Sequence, residues 1–170
     1  TLGFLNPNGV VTGQVKTFSG NPVEGASVTL SPTIGTAVSL DGTGSLFAPY
    51  VPALSPEQFT VSCWVKLNDG NDGSGILDLG SSIGKNWWLH TTGAGTKGVA
   101  FSIGNGLGST TTLSHEFEAA TAGNWHYVAA TYNGASLLLY VDGELIQTAV
   151  GAMQTDSMTF FMGKRGGGSG

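Results

Sequence analysis

The residues of this chain that could hold a ligand by their chemistry begin with an aromatic pair. Trp87 and Trp88 are adjacent, Asn86 precedes them, and His90 follows two residues later. Exposed indole rings stack on the apolar faces of sugar rings, while amide and imidazole groups can hydrogen-bond sugar hydroxyls. Successive side chains of a strand point to opposite faces, so at least one tryptophan is expected in the core. The pattern predicts a carbohydrate contact at these four residues, with core packing as the alternative.

An oxygen-rich loop between Asn68 and Gly75 is the second candidate site. Asp69, Asn71 and Asp72 bring carboxylate and amide oxygens into a short glycine-rich stretch, and calcium prefers six to eight oxygen ligands. The Asp-x-Asn-x-Asp-Gly spacing of calcium loops is not kept, because Asp72 comes one position early. Because of their oxygen-rich side chains, these three residues still predict a calcium site. A solvated hairpin loop is the alternative. Calcium is the one cofactor that the sequence suggests.

The composition narrows the classes of protein to which this chain can belong. It has 170 residues, of which 10% are charged, and a formal net charge of −5. The few cations are scattered, so there is no basic stripe to neutralise phosphates and nucleic acid binding is excluded. No apolar run reaches the ~18 residues that cross a bilayer. Cys63 is the single cysteine, so an intrachain disulfide is excluded and the fold must depend on packing.

The pattern of apolar runs predicts strands along the whole chain. Residues 125–132, 137–141 and 145–150 are separated by Asn133-Gly134 and Asp142-Gly143, which are signals of tight hairpin turns, so they form a three-stranded antiparallel meander. Both faces of its middle strand are apolar, which predicts a position inside a layered structure. Further strands are predicted at Val10–Lys16, Ala26–Leu30, Ala37–Leu40, Ser45–Val51, Gln58–Leu67, Gly75–Leu79, Asn86–Thr91, Gly98–Ile103, Thr110–Glu116 and Met158–Gly163. The fold class is all-β, a two-sheet antiparallel jelly-roll sandwich.

Several separated motifs carry a resemblance to a known family. They are Ala37–Gly42, Leu54–Lys66, Gly123–Gly134, Leu139–Gly143 and Met162–Arg165. In this order they resemble a laminin G-like domain of the concanavalin A-like lectin/glucanase superfamily over residues 35–170. The resemblance implies a jelly roll that binds glycans or proteins at cell surfaces. It also implies that a last strand with an acidic, aromatic motif is missing.

The first 34 residues have a different character. Val11–Val15 and Ser19–Leu30, joined around Gly20-Asn21-Pro22, resemble the opening hairpin of a carboxypeptidase regulatory-like domain. We expect this N-terminal β-hairpin extension to lean on the jelly roll or on a neighbour, because an isolated hairpin cannot bury its own face.

Catalysis is not expected. Glu116 and Glu118 flank Phe117 and would share one face of a strand, as the paired carboxylates of a glycosidase do. However, the Glu-x-Asp-x-x-Glu motif of glycan-hydrolysing relatives does not occur, so both residues are interpreted as solvent-facing. His90, His115 and His126 lack metal-ligand spacing.

The sequence thus predicts a non-catalytic, extracellular structural or adhesion module. Its partners would be neighbouring copies or domains of the same surface protein, joined through strand edges after the missing strand is supplied in trans or by residues 1–15. The alternative is a lectin-like carbohydrate-binding module, with or without dependence on calcium.

Overall fold

The computed structural model describes residues 37–40, 44–67, 74–80, 84–93 and 95–164. The chain divides into two compact units, with the boundary between Val38 and Ser39. All described residues but two belong to the second unit. The predicted hairpin in residues 1–34 lies outside the described residues, and the predicted boundary after residue 34 stays a prediction.

The described part of the second unit is built almost entirely from strands, with a single 3-10 turn at Pro52–Leu54. Its ten strands are β1 (Leu46–Ala48), β2 (Phe59–Val65), β3 (Gly75–Asp78), β4 (Lys85–Thr91), β5 (Gly98–Asn105), β6 (Thr110–Glu116), β7 (His126–Tyr132), β8 (Ser136–Val141), β9 (Glu144–Val150) and β10 (Phe160–Met162). Within the described ranges, the structure contains no helix long and apolar enough to cross a bilayer.

These strands form two antiparallel sheets. The larger sheet has six strands in the order β1-β10-β3-β4-β5-β6, and the smaller has four in the order β2-β7-β8-β9. The crossings between the sheets and the antiparallel pairing confirm the predicted jelly-roll sandwich. The meander β7-β8-β9 is confirmed, and it supplies three of the four strands of the smaller sheet.

The core lies between the two sheets. Alternate residues of the central strands point inward and are fully buried, as the two-residue period of a strand requires. Those with no exposed surface are Leu79, Leu89, Val99, Phe101, Ile103, Leu113, Val128, Ala130, Leu137 and Leu139. Burying a Leu, Val or Phe side chain contributes about 1.5–3 kcal/mol, so this contact is the main source of stability in a chain with a single cysteine.

Two predictions about the strands are wrong in detail. Residues Ala37–Leu40 form no strand, although Ala37 and Val38 have the strand-like alternation. The middle strand of the meander has one buried face only, because Leu138 and Tyr140 are half-buried on the outer side of the four-stranded sheet. A strand with two apolar faces therefore need not have a layer on each side.

A close backbone contact fixes the start of β4. At Gly104 in β5, an added Cβ would collide with the backbone of Gly84, and the Gly104 carbonyl accepts a hydrogen bond of 2.9 Å from the Gln154 amide. The Gln154 carbonyl in turn accepts a bond of 2.7 Å from the Asn86 amide. Three segments thus meet at a point where a side chain at residue 104 has no room.

We predict that Gly104→Ala lowers the free energy of unfolding by about 2 kcal/mol or more, because the colliding atoms are backbone and cannot turn away. The matched control is Gly123→Ala, where an added Cβ meets no atom within 4 Å and little change is expected. Urea denaturation of both variants measures the difference. Equal stability of the two would contradict the crowding at Gly104.

Candidate functional site

Asn86 is the most completely bonded side chain in the described structure. It is fully buried and has a left-handed backbone, with φ 59°. Its Nδ2 donates to the carbonyls of Leu79 at 2.9 Å and Asp156 at 3.0 Å. Its Oδ1 accepts from the Asp156 amide at 2.8 Å and from Ser55 Oγ at 3.3 Å. The Asn86 side chain therefore connects the 151–159 segment to β4. All four of these hydrogen bonds are made to groups of the protein itself.

The two tryptophans of the predicted aromatic pair point to opposite faces of β4, as alternation requires. Trp87 is 4% exposed and packs in the core against Phe59, with ring centroids 5.4 Å apart. Its Nε1 donates to the Leu54 carbonyl at 3.2 Å. Trp88 lies on the outer face of the six-stranded sheet, yet only 7% of it is exposed. Neither ring offers an open stacking surface.

His90 is the one residue of the predicted contact that is partly exposed, and it belongs to a polar chain. Its Nε2 lies 3.1 Å from Ser102 Oγ, which lies 2.8 Å from Thr112 Oγ1. Its Nδ1 lies 2.9 Å from the Thr91 carbonyl. Cross-strand register places Trp88 opposite Ser102, beside this chain. The carbohydrate role of Trp87, Trp88, Asn86 and His90 stays a prediction, with three of the four buried.

The predicted calcium residues Asp69, Asn71 and Asp72 lie outside the described residues, so calcium binding there stays a prediction. Elsewhere, the described ranges contain no group of three or more His, Cys, Asp or Glu side chains that could hold a metal. Glu116 and Glu118 are both exposed, as expected for solvent-facing residues.

An exposed aromatic group lies on the outer face of the four-stranded sheet. Trp64 in β2 is 53% exposed and pairs across the strands with Tyr127 in β7. Their ring centroids are 5.5 Å apart and the planes meet at 57°. Trp125, 49% exposed, lies immediately before β7 and precedes Tyr127 by two residues. We call Trp64, Trp125 and Tyr127 the aromatic patch.

The sheet face that continues from the aromatic patch is uncharged. Its next cross-strand row runs Ser62, Ala129, Tyr140 and Leu145, and the row after that runs Thr60, Thr131, Leu138 and Thr148. Ala129, the smallest of these, lies between Tyr127 and Thr131 along its strand and between Ser62 and Tyr140 across the sheet. These rows therefore present hydroxyl, apolar and aromatic side chains and no charged group.

A buried histidine fixes the strand that carries the patch. His126 Nδ1 lies 2.8 Å from Asp142 Oδ2, and Nε2 lies 3.0 Å from the Thr121 carbonyl. The His126 ring stacks on Phe117 at 3.9 Å, and Asp142 Oδ1 accepts a bond of 2.8 Å from the Tyr127 amide. The backbone between Trp125 and Tyr127 is therefore held from two sides. No motif in the sequence indicates this site, although the apolar pattern places Trp64 and Tyr127 on predicted strands.

Comparison with known proteins identifies the family. A laminin G-type family model, described as the concanavalin A-like lectin/glucanases superfamily, matches residues 40–170. The chain belongs to this superfamily. The match begins after the predicted carboxypeptidase regulatory-like hairpin, which stays a prediction. No curated protein matches this chain.

Solved structures of the same fold include carbohydrate-binding and laminin domains. Domain 4 of a GH43 extracellular arabinanase from Geobacillus stearothermophilus, in complex with arabinotriose, is 18% identical with a TM-score of 0.56, over 84% of this chain and 69% of that chain. The CBM40 of Ruminococcus gnavus IT-sialidase, bound to alpha2,3 sialyllactose, is 20% identical with a TM-score of 0.51, over 65% and 66%. Mouse laminin alpha1 domains LG4-5 are 19% identical with a TM-score of 0.50, over 70% and 30%.

At these identities the matches show a shared fold. This superfamily member spans 27% of a botulinum neurotoxin serotype D/C binding domain that also matches, and about two thirds of the arabinanase and sialidase modules. The arabinotriose and sialyllactose in these structures are ligands of those proteins.

We predict that Asn86→Ala lowers the free energy of unfolding by about 2–4 kcal/mol, because it leaves buried backbone groups without their partners. The matched control is Asn124→Ala, at an exposed position, for which a change within about 0.5 kcal/mol is expected. Thermal and urea denaturation compare the two. An Asn86→Ala variant as stable as the control would instead favour the ligand role.

Cys63 provides a pH-dependent test of the β2 packing. Burial raises the pKa of its thiol from 9.0 to about 11, so the folded protein favours the neutral thiol. We predict that iodoacetamide modifies it at least tenfold more slowly at pH 8 than in the unfolded chain, because burial disfavours the reactive thiolate. The contribution of the neutral Cys63 thiol to the free energy of unfolding is fully present below pH 9 and is lost as the pH rises towards 11. In Cys63→Ser that pH dependence should vanish; equal modification rates would contradict the burial.

Proposed function

We propose that this chain is a non-catalytic, extracellular carbohydrate-binding module whose contact surface is the aromatic patch with the two adjoining rows of the sheet. The observation that carries the proposal is the contact between Trp64 and Tyr127 on this face, with Trp64 and Trp125 both about half-exposed. Exposed apolar side chains that lie together commonly mark a binding site. Phe47 is also well exposed, but it lies on the other sheet.

The chemistry of the patch matches a saccharide better than a peptide or a charged ligand. Indole and phenol rings contact the C–H faces of pyranose or furanose rings, while the hydroxyl groups of Ser62, Thr131 and Tyr140 are placed to bond sugar hydroxyls. The outward-facing residues of the two rows described above have no charge, and the nearest carboxylate, that of Asp142, accepts a hydrogen bond from the Tyr127 amide.

The family supports the same class of function. The printed descriptions of two structures with this fold include a bound sugar, arabinotriose in one and sialyllactose in the other. These similarities show a shared fold and nothing finer. The ligand class for this chain is therefore inferred from its own aromatic patch. The sugars bound by the related structures make a sugar the first ligand to test. Glu116 and Glu118 are both exposed, as expected for solvent-facing residues.

A structural and adhesive role in a larger surface protein is the second candidate. The observation that favours it is β2, an uncharged strand at the border of the four-stranded sheet. The two roles are compatible, because the patch uses a sheet face and a structural link would use a sheet edge.

We predict that Trp64→Ala weakens glycan binding at least tenfold, or about 1.4 kcal/mol, because it removes the most exposed ring of the patch. The measurement is a glycan array that includes arabinan and sialylated oligosaccharides, followed by calorimetric titration of each hit. Phe47→Ala is the matched control, since Phe47 is a well-exposed aromatic residue on the other sheet and its loss should not change affinity.

Equal weakening in both variants, or hits that survive in a Trp64→Ala/Trp125→Ala double variant, would reject the patch as the contact surface. The titration repeated with a calcium chelator tests the predicted loop site at Asp69, Asn71 and Asp72. Affinity that falls on chelation and in Asp72→Ala would support that site.

A further inference from the structure

Two asparagine-glycine pairs of the described structure lie in turns between strands. Asn133-Gly134 follows β7, and Asn105-Gly106 lies at the end of β5. Both glycines have a positive φ, 94° at Gly134 and 73° at Gly106. Such a pair can react within itself, because the glycine nitrogen can attack the carbonyl carbon of the asparagine side chain and no Cβ of the glycine obstructs the approach. A further pair in the sequence, Asn8-Gly9, lies outside the described residues.

The side-chain carbonyl of the asparagine is held in the same way in both turns. Asn133 Oδ1 accepts hydrogen bonds from the amides of Ala135 at 3.0 Å and Ser136 at 2.8 Å. Asn105 Oδ1 likewise accepts two backbone amide bonds, at 2.9 and 3.2 Å. Two N–H donors on one oxygen polarise the C=O bond and stabilise the negative charge that develops there during attack. On this feature alone, both asparagines would react at similar rates.

The attacking nitrogen has different surroundings in the two turns. The Gly106 amide donates a hydrogen bond of 3.0 Å to the Gly84 carbonyl, whereas the Gly134 amide donates to no group of the described residues. An added Cβ at Gly106 would collide with the Gln154 side chain, while one at Gly134 has the Glu57 carbonyl oxygen as its nearest atom, at 3.8 Å. Gly106 must therefore break a hydrogen bond and move against packed atoms before it can attack, and Gly134 need not.

We infer that Asn133 is a site of spontaneous modification, which converts to aspartate and isoaspartate in the folded protein while the fold protects Asn105. In the first step, a bond forms between Gly134 N and Asn133 Cγ, the Cγ–Nδ2 bond breaks, and the side-chain nitrogen leaves as ammonia with the proton of the Gly134 amide. In the second step, water adds to one of the two carbonyl carbons of the cyclic imide. Opening at Cγ gives aspartate, and opening at the main-chain carbonyl carbon gives isoaspartate. Asn133 is exposed, so water reaches the ring.

The two products should affect the β7–β8 turn differently. Aspartate keeps an oxygen that can accept the same two amide bonds, so the turn persists with one more negative charge. Isoaspartate adds a methylene group to the main chain, which disturbs the hydrogen bond of 3.2 Å from the Asn133 amide to the Ser136 carbonyl. The turn lies at the opposite end of β7 from Tyr127 and the aromatic patch. This inference goes beyond glycan binding and does not depend on it.

Peptide mapping by mass spectrometry tests the inference on the folded 170-residue chain, incubated for weeks in mildly alkaline buffer. Conversion raises the mass of the peptide by about 1 Da, and electron-transfer fragmentation distinguishes isoaspartate from aspartate. We expect Asn133 to convert at least about tenfold faster than Asn105. The control is the same chain unfolded in urea, where both glycine nitrogens are equally accessible and the two rates should converge.

Two matched variants show that the modification requires the asparagine of each pair. Glutamine would have to close a six-membered ring, which forms more slowly, so Asn133→Gln should abolish conversion at the β7–β8 turn. Asn105→Gln should leave conversion at Asn133 unchanged, and thermal melting before incubation checks that both variants fold. Equal rates at the two sites of the folded wild type, a faster rate at Asn105, or a tenfold difference that persists in urea would each overturn the inference.

Discussion

The packing of two sheets face to face is the constraint on which the rest of this structure depends. The chain has a single cysteine and few charged residues, so it can form no intrachain disulfide and few ion pairs. The apolar layer between the sheets must therefore stabilise it. Every central strand therefore commits one face to the core. Only the outer faces, the loops and the strand edges remain for contact with other molecules.

This constraint explains why the conspicuous polar groups of β4 are structural. Asn86 has a left-handed backbone that few residues tolerate and a side chain that satisfies buried carbonyl and amide groups of two other segments. Gly104 allows those segments to approach. Asn86, which the sequence pattern predicts to contact a sugar, thus joins β4 to the 151–159 segment of the jelly roll.

The four-stranded sheet has the opposite character, because its outer face carries the half-exposed rings of Trp64 and Trp125. Trp64 also belongs to an end strand of that sheet. His126 contacts the Asp142 carboxylate and the Thr121 carbonyl, and the same carboxylate accepts a hydrogen bond from the Tyr127 amide. These contacts tie the strand that carries Tyr127 to the turn between β8 and β9.

The sequence alone determined the class of fold, the meander and its turns, and most strand positions, because alternation and turn residues such as Asn133-Gly134 are local signals. It also determined that Trp87 and Trp88 face opposite ways. Which tryptophans are exposed was decided only by the tertiary structure, since exposure depends on which face another layer covers. Trp88 on the outer face is buried, whereas Trp64 and Trp125 are open. The order of strands in each sheet was likewise decided by the tertiary structure, because it follows from long-range pairing that no local pattern contains.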